Sequence, residues 1–229
     1  MKKLNFEMLS SSGLNLQALL NINELPKHLI AHLQSLEPEL EQYNQVLLVG
    51  HAGTQLWEKV QAHMQESEDP IDQYSEQVVT HFLSKTAQVK KFNLLFPSNQ
   101  PIGLQQLGKL AGWHFDSPFR VGINKKYGSW FAYRAVALLQ SDFENQTLES
   151  ESPCDFCTEK VCVTACPAGA LTKGDLSLKT CMDYRKSEGS KCSDRCLARM
   201  ACPVAVEHQY SLAQIQYHYG LSYRHLKST

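Results

Sequence analysis

Eight cysteines are the side chains of this 229-residue chain whose type and spacing most directly indicate chemistry. All lie between positions 154 and 202, and the fourth and the last stand directly before proline. They are Cys154, Cys157, Cys162, Cys166, Cys181, Cys192, Cys196 and Cys202. The bacterial two-cluster motif uses three closely spaced cysteines for one 4Fe-4S cluster and sends the fourth, before proline, to the other. Eight cysteines supply two such clusters with none left over.

The order of the cysteines predicts how they divide between two clusters. A chain that leaves one cluster at Cys166 must return to the first at Cys202. One predicted ligand set is therefore Cys154, Cys157, Cys162 and Cys202, and the other is Cys166, Cys181, Cys192 and Cys196. Backbone N–H groups in such short loops turn toward the cluster sulfides and stabilise an anionic centre.

Two other uses of the cysteines stay open, because four residues separate Cys157 from Cys162 and the later gaps are also stretched. Paired cysteines make tetrahedral zinc sites, so one cluster with a structural zinc is a second interpretation. A disulfide framework is a third. However, polar residues interrupt the start of the chain where a secretory signal needs an apolar run. The sequence therefore predicts a cytoplasmic protein with reduced thiols.

Composition excludes several classes of partner. The chain has 22 basic and 23 acidic residues and a formal net charge of -1, which gives no electrostatic case for nucleic-acid binding. No apolar run approaches the ~20 residues that span a bilayer, so no membrane partner is expected. The length suits one sizeable core and a satellite module. We predict two domains, 1–147 and 148–229, joined through the polar, acidic span 142–153.

The segments before the cysteines predict an α+β domain that would position the chemistry. Apolar periodicity and capping residues mark the elements. They are helical segments over 14–42, broken by Pro26 and Pro38, helices over 54–65 and 69–84, strands over 45–50 and 90–96, and a helix that ends near Leu110. Gly50 and Gly53 are too few for a dinucleotide-binding loop, which excludes that function.

A second informative stretch runs from Phe119 to Leu139. Its composition predicts a β-hairpin with strands 120–124 and 127–139. Arg134 falls on an otherwise apolar face of the second strand. Burial of a cation is costly unless it is paired, so Arg134 is predicted either to form a salt bridge or to face an anionic ligand.

The order of these pieces resembles the family of cobalamin-dependent epoxyqueuosine reductases. The resemblance is carried by 157–171, which reads Cys-Thr-Glu-Lys-Val-Cys-Val-Thr-Ala-Cys-Pro-Ala-Gly-Ala-Leu, and by 121–131, which reads Val-Gly-Ile-Asn-Lys-Lys-Tyr-Gly-Ser-Trp-Phe. It implies a nitroreductase-like α/β sandwich domain followed by a small bacterial-ferredoxin-like module with two 4Fe-4S clusters.

The N-terminal half is similar to another branch, the vitamin B12 processing chaperones that remove the upper axial ligand of cobalamin. The matching pieces are 69–73, Pro97 with Pro101, and 128–139. In that branch an arginine after Trp-Phe-Ala-x lines the cavity, which makes Arg134 a candidate for the same role. The candidate cofactor-binding residues are Asp69, Asp72, Gln73, Ser129, Trp130 and Arg134. Among these, Trp130 would stack on a planar ring.

Two departures limit the resemblance to epoxyqueuosine reductases. Ser98 stands where that family has an acidic proton donor, and the tRNA-binding repeats are not found before Thr229. We therefore do not expect epoxide reduction on tRNA. The B12 chaperones, in turn, lack clusters, so this chain would combine their pocket with its own electron supply.

The combined prediction is an iron-sulfur oxidoreductase. Two 4Fe-4S clusters would pass electrons to a bound corrinoid, for cobalamin reduction or removal of its upper ligand. The expected partners are a small-molecule cofactor or substrate and an unidentified electron donor. The alternatives are a flavin-linked reductase and an electron-carrier or docking protein with no small-molecule pocket. No catalytic residue is predicted.

Overall fold

The computed structural model describes residues 2–61, 69–172 and 175–228, and the chain divides into two compact units. The first unit comprises Met1–His114 and Phe131–Glu149, and the second comprises Phe115–Trp130 and Ser150–Thr229. The sequence predicted a division along the chain between 147 and 148. In the structure the second unit also takes Phe115–Trp130, a segment that lies between two parts of the first unit.

The first unit is built on a four-stranded antiparallel sheet in the order β1-β2-β4-β3. The strands are β1 (Leu16–Asn21), β2 (Gln45–Ala52), β3 (Phe92–Phe96) and β4 (Phe131–Leu139). The helices are α1 (Glu7–Ser11), α2 (Lys27–Leu36), α3 (Gln55–Gln61), α4 (Pro70–His81), which continues as a π-helical turn over Phe82–Thr86, and α5 (Leu104–Leu110). This mixture of helices with an antiparallel sheet confirms the α+β prediction.

The centre of this unit is the pair formed by β2 and β4. Every residue of β2 is buried, which explains its apolar sequence. The two strands pair from Gln45 opposite Leu139 to Ala52 opposite Phe131, with a bulge between Val49 and Gly50. A Cβ on Gly50 would lie 2.7 Å from the carbonyl oxygen of Ala132, so the strands can approach here only with glycine at position 50.

Two local predictions are wrong. Leucine spacing predicted helix over 14–42 with breaks at Pro26 and Pro38, but Leu16–Asn21 forms β1, and an α-helix is found only between the two prolines, over Lys27–Leu36. All of β1 pairs with β2, and this ladder outweighs the local periodicity. The predicted hairpin is also absent from the described residues, because β4 pairs with β2 and β3, while Ile123 and Asn124 form isolated bridges to Phe115 and Gly128.

The second unit has short elements joined by long loops. They are α6 (Val161–Thr164), β5 (Leu171–Thr172), β6 (Asp175–Leu176), α7 (Leu178–Lys186), α8 (Leu197–Met200) and α9 (Leu212–Ser228). Its buried cluster contains Phe119, Ile123, Cys162, Leu171, Ala198 and Cys202. Two cysteines are therefore part of the core of this unit. None of the described helices of the chain is long and apolar enough to cross a membrane.

Candidate functional site

One cavity of the second unit is lined by four of the eight cysteines. It has a volume of about 290 Å³, and its walls include Cys154, Cys157, Cys162 and Cys202. The loop before α6 supplies the first two, α6 itself supplies Cys162, and the chain after α8 supplies Cys202. The cavity wall thus combines cysteines from both halves of the motif.

The thiols of this first set affect one another's ionisation. Burial, followed by the neighbouring thiols of Cys202, Cys162 and Cys157, raises the pKa of Cys154 to about 11. Burial and the same neighbours, Cys202 and Cys157, raise the pKa of Cys162. Burial also raises the pKa of Cys202, with Cys157 adding to the rise. Four thiolates would repel one another here, so this site favours a group that brings positive charge.

The other four cysteines form a second set with the same behaviour. The pKa of Cys181 is raised by burial and by the thiols of Cys196, Cys166 and Cys192. That of Cys196 is raised by burial and by Cys192. In both sets, the thiols that raise a member's pKa belong to that member's own set. Here, unlike in the first set, arginines oppose the rise: Arg185 lowers the pKa of Cys181 and Arg199 that of Cys196.

None of the eight cysteines forms a disulfide. The disulfide framework left open by the sequence is therefore wrong. Within the described residues, no three His, Cys, Asp or Glu side chains are arranged to hold a single metal ion. A cubane cluster differs from such a site because each of its four thiolates binds a different iron, so the sulfurs need not converge on one point.

Ser129 and Trp130, two of the candidate cofactor residues, lie in the second unit beside the buried Arg199. The Nε of Arg199 donates to Ser129 Oγ at 3.3 Å, and its Nη2 donates to the carbonyl of Ser129. Its Cζ lies 4.5 Å from the centre of the Trp130 ring, and Tyr210 packs edge-on against the same ring. Trp130 is 1% exposed, so side chains of this unit fill the space around it.

Neither Arg185 nor Arg199 was among the site residues predicted from the sequence. Their signal was available in the spacing, because Arg199 follows Cys196 by three residues and Arg185 follows Cys181 by four. Such offsets place two side chains on the same side of a helical turn. Composition alone does not reveal which arginines are buried.

The other candidate residues, Asp69, Asp72, Gln73 and Arg134, belong to the first unit. Asp69, Asp72 and Gln73 line a cavity of about 460 Å³ at the start of α4. The same cavity is lined by Ser98, the residue that stands where epoxyqueuosine reductases have their acidic proton donor, according to the sequence resemblance. The structure therefore brings Ser98 to the same polar space as Asp69, Asp72 and Gln73, which were predicted together from the segment 69–73.

Arg134 forms the salt bridge that was one of its two predicted roles. Its Nη1 lies 3.6 Å from Asp72 Oδ1, and its Nε donates to His51 Nδ1 at 3.0 Å. Burial raises the pKa of Asp72, while the positive charge of Arg134 lowers it and the neighbouring Asp69 raises it. Asp72 is thus a carboxyl group at the cavity wall, held by Arg134 and poised to bind or release a proton at a higher pH than usual.

Comparison with solved structures places the fold among the epoxyqueuosine reductases. The enzyme from Bacillus subtilis superposes with a TM-score of 0.54 at 16% sequence identity, over 90% of this chain and 66% of that chain. An epoxyqueuosine reductase bound to an epoxyqueuosine-modified tRNA-Tyr stem loop superposes with a TM-score of 0.55 at 15% identity, over 92% of this chain and 67% of that one. This chain therefore spans slightly less than two thirds of the B. subtilis enzyme.

A B12-trafficking protein of C. elegans, CblC, a homologue of human MMACHC, also matches, with a TM-score of 0.49 and 13% identity over 89% of this chain and 84% of that one. No protein-family model and no curated protein matches the sequence. At these identities the comparisons establish the fold alone. The resemblance to epoxyqueuosine reductases, drawn from sequence motifs, is thereby confirmed as a likeness of fold.

Proposed function

We propose that this chain is an iron-sulfur oxidoreductase that passes single electrons from two 4Fe-4S clusters to a corrinoid held by the first unit. The observation that carries the proposal is the cavity of about 290 Å³ whose walls include Cys154, Cys157, Cys162 and Cys202. These are the cysteines that the motif assigns to one cluster, although they lie up to 48 positions apart in the chain.

The donor chemistry fits two clusters. The first set would hold one cluster, and Cys166, Cys181, Cys192 and Cys196 would hold the other. When bound, such clusters accept and release one electron at a time. The protein's part is to supply eight thiolates, to bury them, and to direct backbone N–H groups at the sulfurs, as the N–H of Arg199 does toward Cys196 Sγ at 3.5 Å.

The cavity of the first unit suits an amide-bearing edge of a corrinoid. Its volume of about 460 Å³ is within the range of ligand pockets, and Asp72, Gln73 and Ser98 offer carboxylate, amide and hydroxyl groups to such an edge. Arg134 would orient Asp72 through their ion pair. Corrinoid chemistry is the cobalamin reduction or upper-ligand loss that the sequence resemblance implies. Ser129 and Trp130 would not contact the corrinoid in this proposal. Their role would be to position Arg199, which they contact through a hydrogen bond and the indole ring.

The second candidate function is that of an electron carrier without a small-molecule cofactor. The observation in its favour is the filled space around Trp130, where Arg199 and Tyr210 occupy the ring's surroundings. A flavin-linked reductase is the remaining alternative, since a flavin would accept the same electrons. All three candidates require the clusters and differ in what the first unit holds.

One anaerobic experiment tests the proposal in two steps. Full-length protein reconstituted with iron and sulfide should hold about eight iron atoms per chain, four for each cluster, and absorb broadly near 400 nm. A colourless protein that holds zinc instead would overturn the proposal. Protein that has been reduced with dithionite and then freed of excess dithionite by desalting is titrated with hydroxocobalamin, whose visible spectrum should change as the clusters reduce cobalt.

Two variants of α4 test whether hydroxocobalamin binds in the cavity of the first unit. Gln73→Ala removes an amide from the cavity wall and should weaken hydroxocobalamin binding several-fold. Gln77→Ala, one turn further along the same helix and not part of that wall, is the matched control and should bind as the unchanged protein does. Full iron content with no corrinoid response would favour the electron carrier, and a response to flavin instead would favour the flavin-linked reductase.

A further inference from the structure

The charged side chains around the first set of cysteines are exposed and balanced. The cavity that these cysteines line also includes the acidic Asp116 and Asp155 and the basic Arg120 and Lys160. All four are exposed to solvent, so water and salt screen their charges. Two charges of each sign in this position leave little net field at the first set.

Arg199 gives the second set a different environment. It is 8% exposed, its backbone N–H donates to Cys196 Sγ, and its guanidinium donates to Ser129. The Cζ atom lies 4.5 Å from the Trp130 ring centre and 5.3 Å from that of Tyr210. The partners of this cation are neutral groups and ring faces, so its positive charge is held in a poorly screened position without being cancelled.

Arg185 is a second cation beside the second set. Its Nε donates to the carbonyl oxygen of Cys192 at 3.1 Å, and its Nη2 donates to that of Ser193 at 3.2 Å. Its Cζ lies 5.7 Å from the Tyr219 ring centre and 5.9 Å from that of Tyr223. The side chain is thus bonded directly to the loop that carries one of the cluster cysteines.

Carboxylates do not neutralise these two cations. Among the described side chains, which leave out those of 1, 62–68, 172–175, 228 and 229, no acidic oxygen lies within 4.0 Å of a side-chain nitrogen of Arg185 or Arg199. The acidic residue between Cys192 and Cys196 is Asp194, whose carboxylate is paired with Arg195 at 2.7 Å and accepts from Gln216 at 2.8 Å. That pair is neutral overall, which leaves the two arginines as a net positive environment.

We propose that Arg199 and Arg185 hold the cluster bound by Cys166, Cys181, Cys192 and Cys196 at a higher reduction potential than the cluster bound by Cys154, Cys157, Cys162 and Cys202. This inference rests on the proposed function, since it requires both clusters. A reduced cluster carries one more negative charge than an oxidised one. Uncancelled positive charge in a medium of low dielectric constant therefore stabilises the reduced form and raises the potential.

The difference sets the direction of internal electron transfer. An external one-electron donor, such as a reduced ferredoxin-type or flavodoxin-type carrier, would reduce the chain. An electron that enters on the first cluster then passes to the second, which leaves the first oxidised by one electron and the second reduced by one. The second cluster is accordingly the one that stays reduced when a single electron is present.

The test is an anaerobic redox titration of the reconstituted full chain, followed by electron paramagnetic resonance. The unchanged protein should show two separate one-electron steps. Arg199→Met should shift the upper step so that the ratio of oxidised to reduced cluster at a given potential rises at least tenfold, a shift of about 59 mV for one electron. The lower step should not move. Arg199→Lys keeps the charge, so its upper step should lie close to that of the unchanged protein.

A control and a second variant keep the result clear. Lys125→Met removes an exposed cation of the second unit that does not line the cavity of the first set, and it should leave both steps unchanged, because water and salt screen that charge. Arg185→Met should shift the upper step in the same direction as Arg199→Met, and it carries the test if the Arg199→Met chain does not fold. An upper step unmoved in both variants, or a shift of the lower step instead, would overturn the inference.

The iron content of the protein distinguishes a failure of this inference from a failure of the proposed function. Each variant is analysed for iron and sulfide before titration. If the unchanged protein holds iron for fewer than two clusters, the proposed function fails. If it holds both clusters and their steps coincide, the function stands and the inference about the arginines is wrong.

Discussion

The two units of this chain are stabilised in different ways. The first has a sheet in which all eight residues of β2 are buried and β4 pairs along both of its edges. The second has two helices of four residues, two strands of two residues, and a buried cluster that includes Cys162 and Cys202. Side chains that would bind iron therefore occupy positions that apolar residues occupy in the first unit.

This difference indicates that the units depend differently on a bound metal. A core of Leu, Val and Ala gains its stability from burial of apolar surface whatever else is bound. A core that contains thiols gains less, and in small metal-binding units the free energy of metal binding is also free energy of folding. The first unit should therefore fold from its sequence alone, and the second should need its clusters.

Removal of iron should have the largest effect. Chelation of the reconstituted chain should abolish the slow amide exchange of α7 and of the loops that carry cysteines, while the amides of β2 and β4 stay protected. Hydrogen exchange measured by mass spectrometry reports both units in one sample. Reconstitution with iron and sulfide is the control and should restore protection. Unchanged protection of α7 without iron would show that the second unit folds on its own.

Truncation of a buried side chain in the sheet should destabilise the first unit and leave the second unchanged. Leu48 is fully buried in β2, so Leu48→Ala should lower the free energy of unfolding of the first unit by about 2–5 kcal/mol. Iron content and the absorption near 400 nm should not change. Urea unfolding, followed by circular dichroism, measures the loss. The control is Leu110→Ala, at a position 38% exposed, where the cost should be much smaller. Loss of clusters in Leu48→Ala would contradict the independence of the two units.

The same contrast explains what sequence could and could not predict. The strand at 45–50 was predictable because continuous burial leaves an apolar run. The division of the thiols between two clusters was drawn from two Cys-Pro dipeptides and chain order, and it stays a prediction. The leucines of β1 gave the wrong answer because their spacing fits a helix, whereas the ladder to β2 joins residues about 30 positions apart. Local patterns do not contain such pairing.

The candidate site shows the same limit. Arg134 could be singled out because one charge interrupts an apolar strand face. Arg199 could not, because it lies in a polar, cysteine-rich stretch where an arginine is ordinary, and only the folded unit buries it between Trp130 and Tyr210. The segment Phe115–Trp130 likewise precedes β4 without a break, and its place in the second unit follows from packing against Cys162 and Ala198.

A methyl group at Gly128 should test how the segment Phe115–Trp130 is held in the second unit. Gly128 has a φ of +58°, and an added Cβ would meet the carbonyl oxygen of Val204. Gly128→Ala should therefore cost about 2–4 kcal/mol, the sum of a left-handed alanine and a steric contact. Gly189 has a φ of +72° with open space around it, so Gly189→Ala isolates the backbone cost alone. Equal losses of thermal stability in the two variants would show that the contact with Val204 is unimportant.

The smallest expected effect concerns Asp72 and depends on pH. Burial raises the pKa of this carboxyl more than Arg134 lowers it, so folding favours the protonated form. This contribution to stability is present in acid and is lost as the pH rises through the pKa of the folded state. Asn resembles the protonated carboxyl at every pH. Asp72→Asn should therefore match the unchanged protein in acid and exceed it at neutral pH, by less than about 1 kcal/mol because water screens the half-exposed side chain.

Urea unfolding of Asp72→Asn at a series of pH values measures this difference directly. Asp142→Asn, which removes an exposed carboxyl of the same unit, is the control and should change the stability much less. If Asp72→Asn is instead less stable than the unchanged protein at neutral pH, the ion pair with Arg134 outweighs the cost of burying the charge. Asp72 would then be a structural partner of Arg134 with its proton already lost, and a proton donor for the cavity would have to be sought elsewhere.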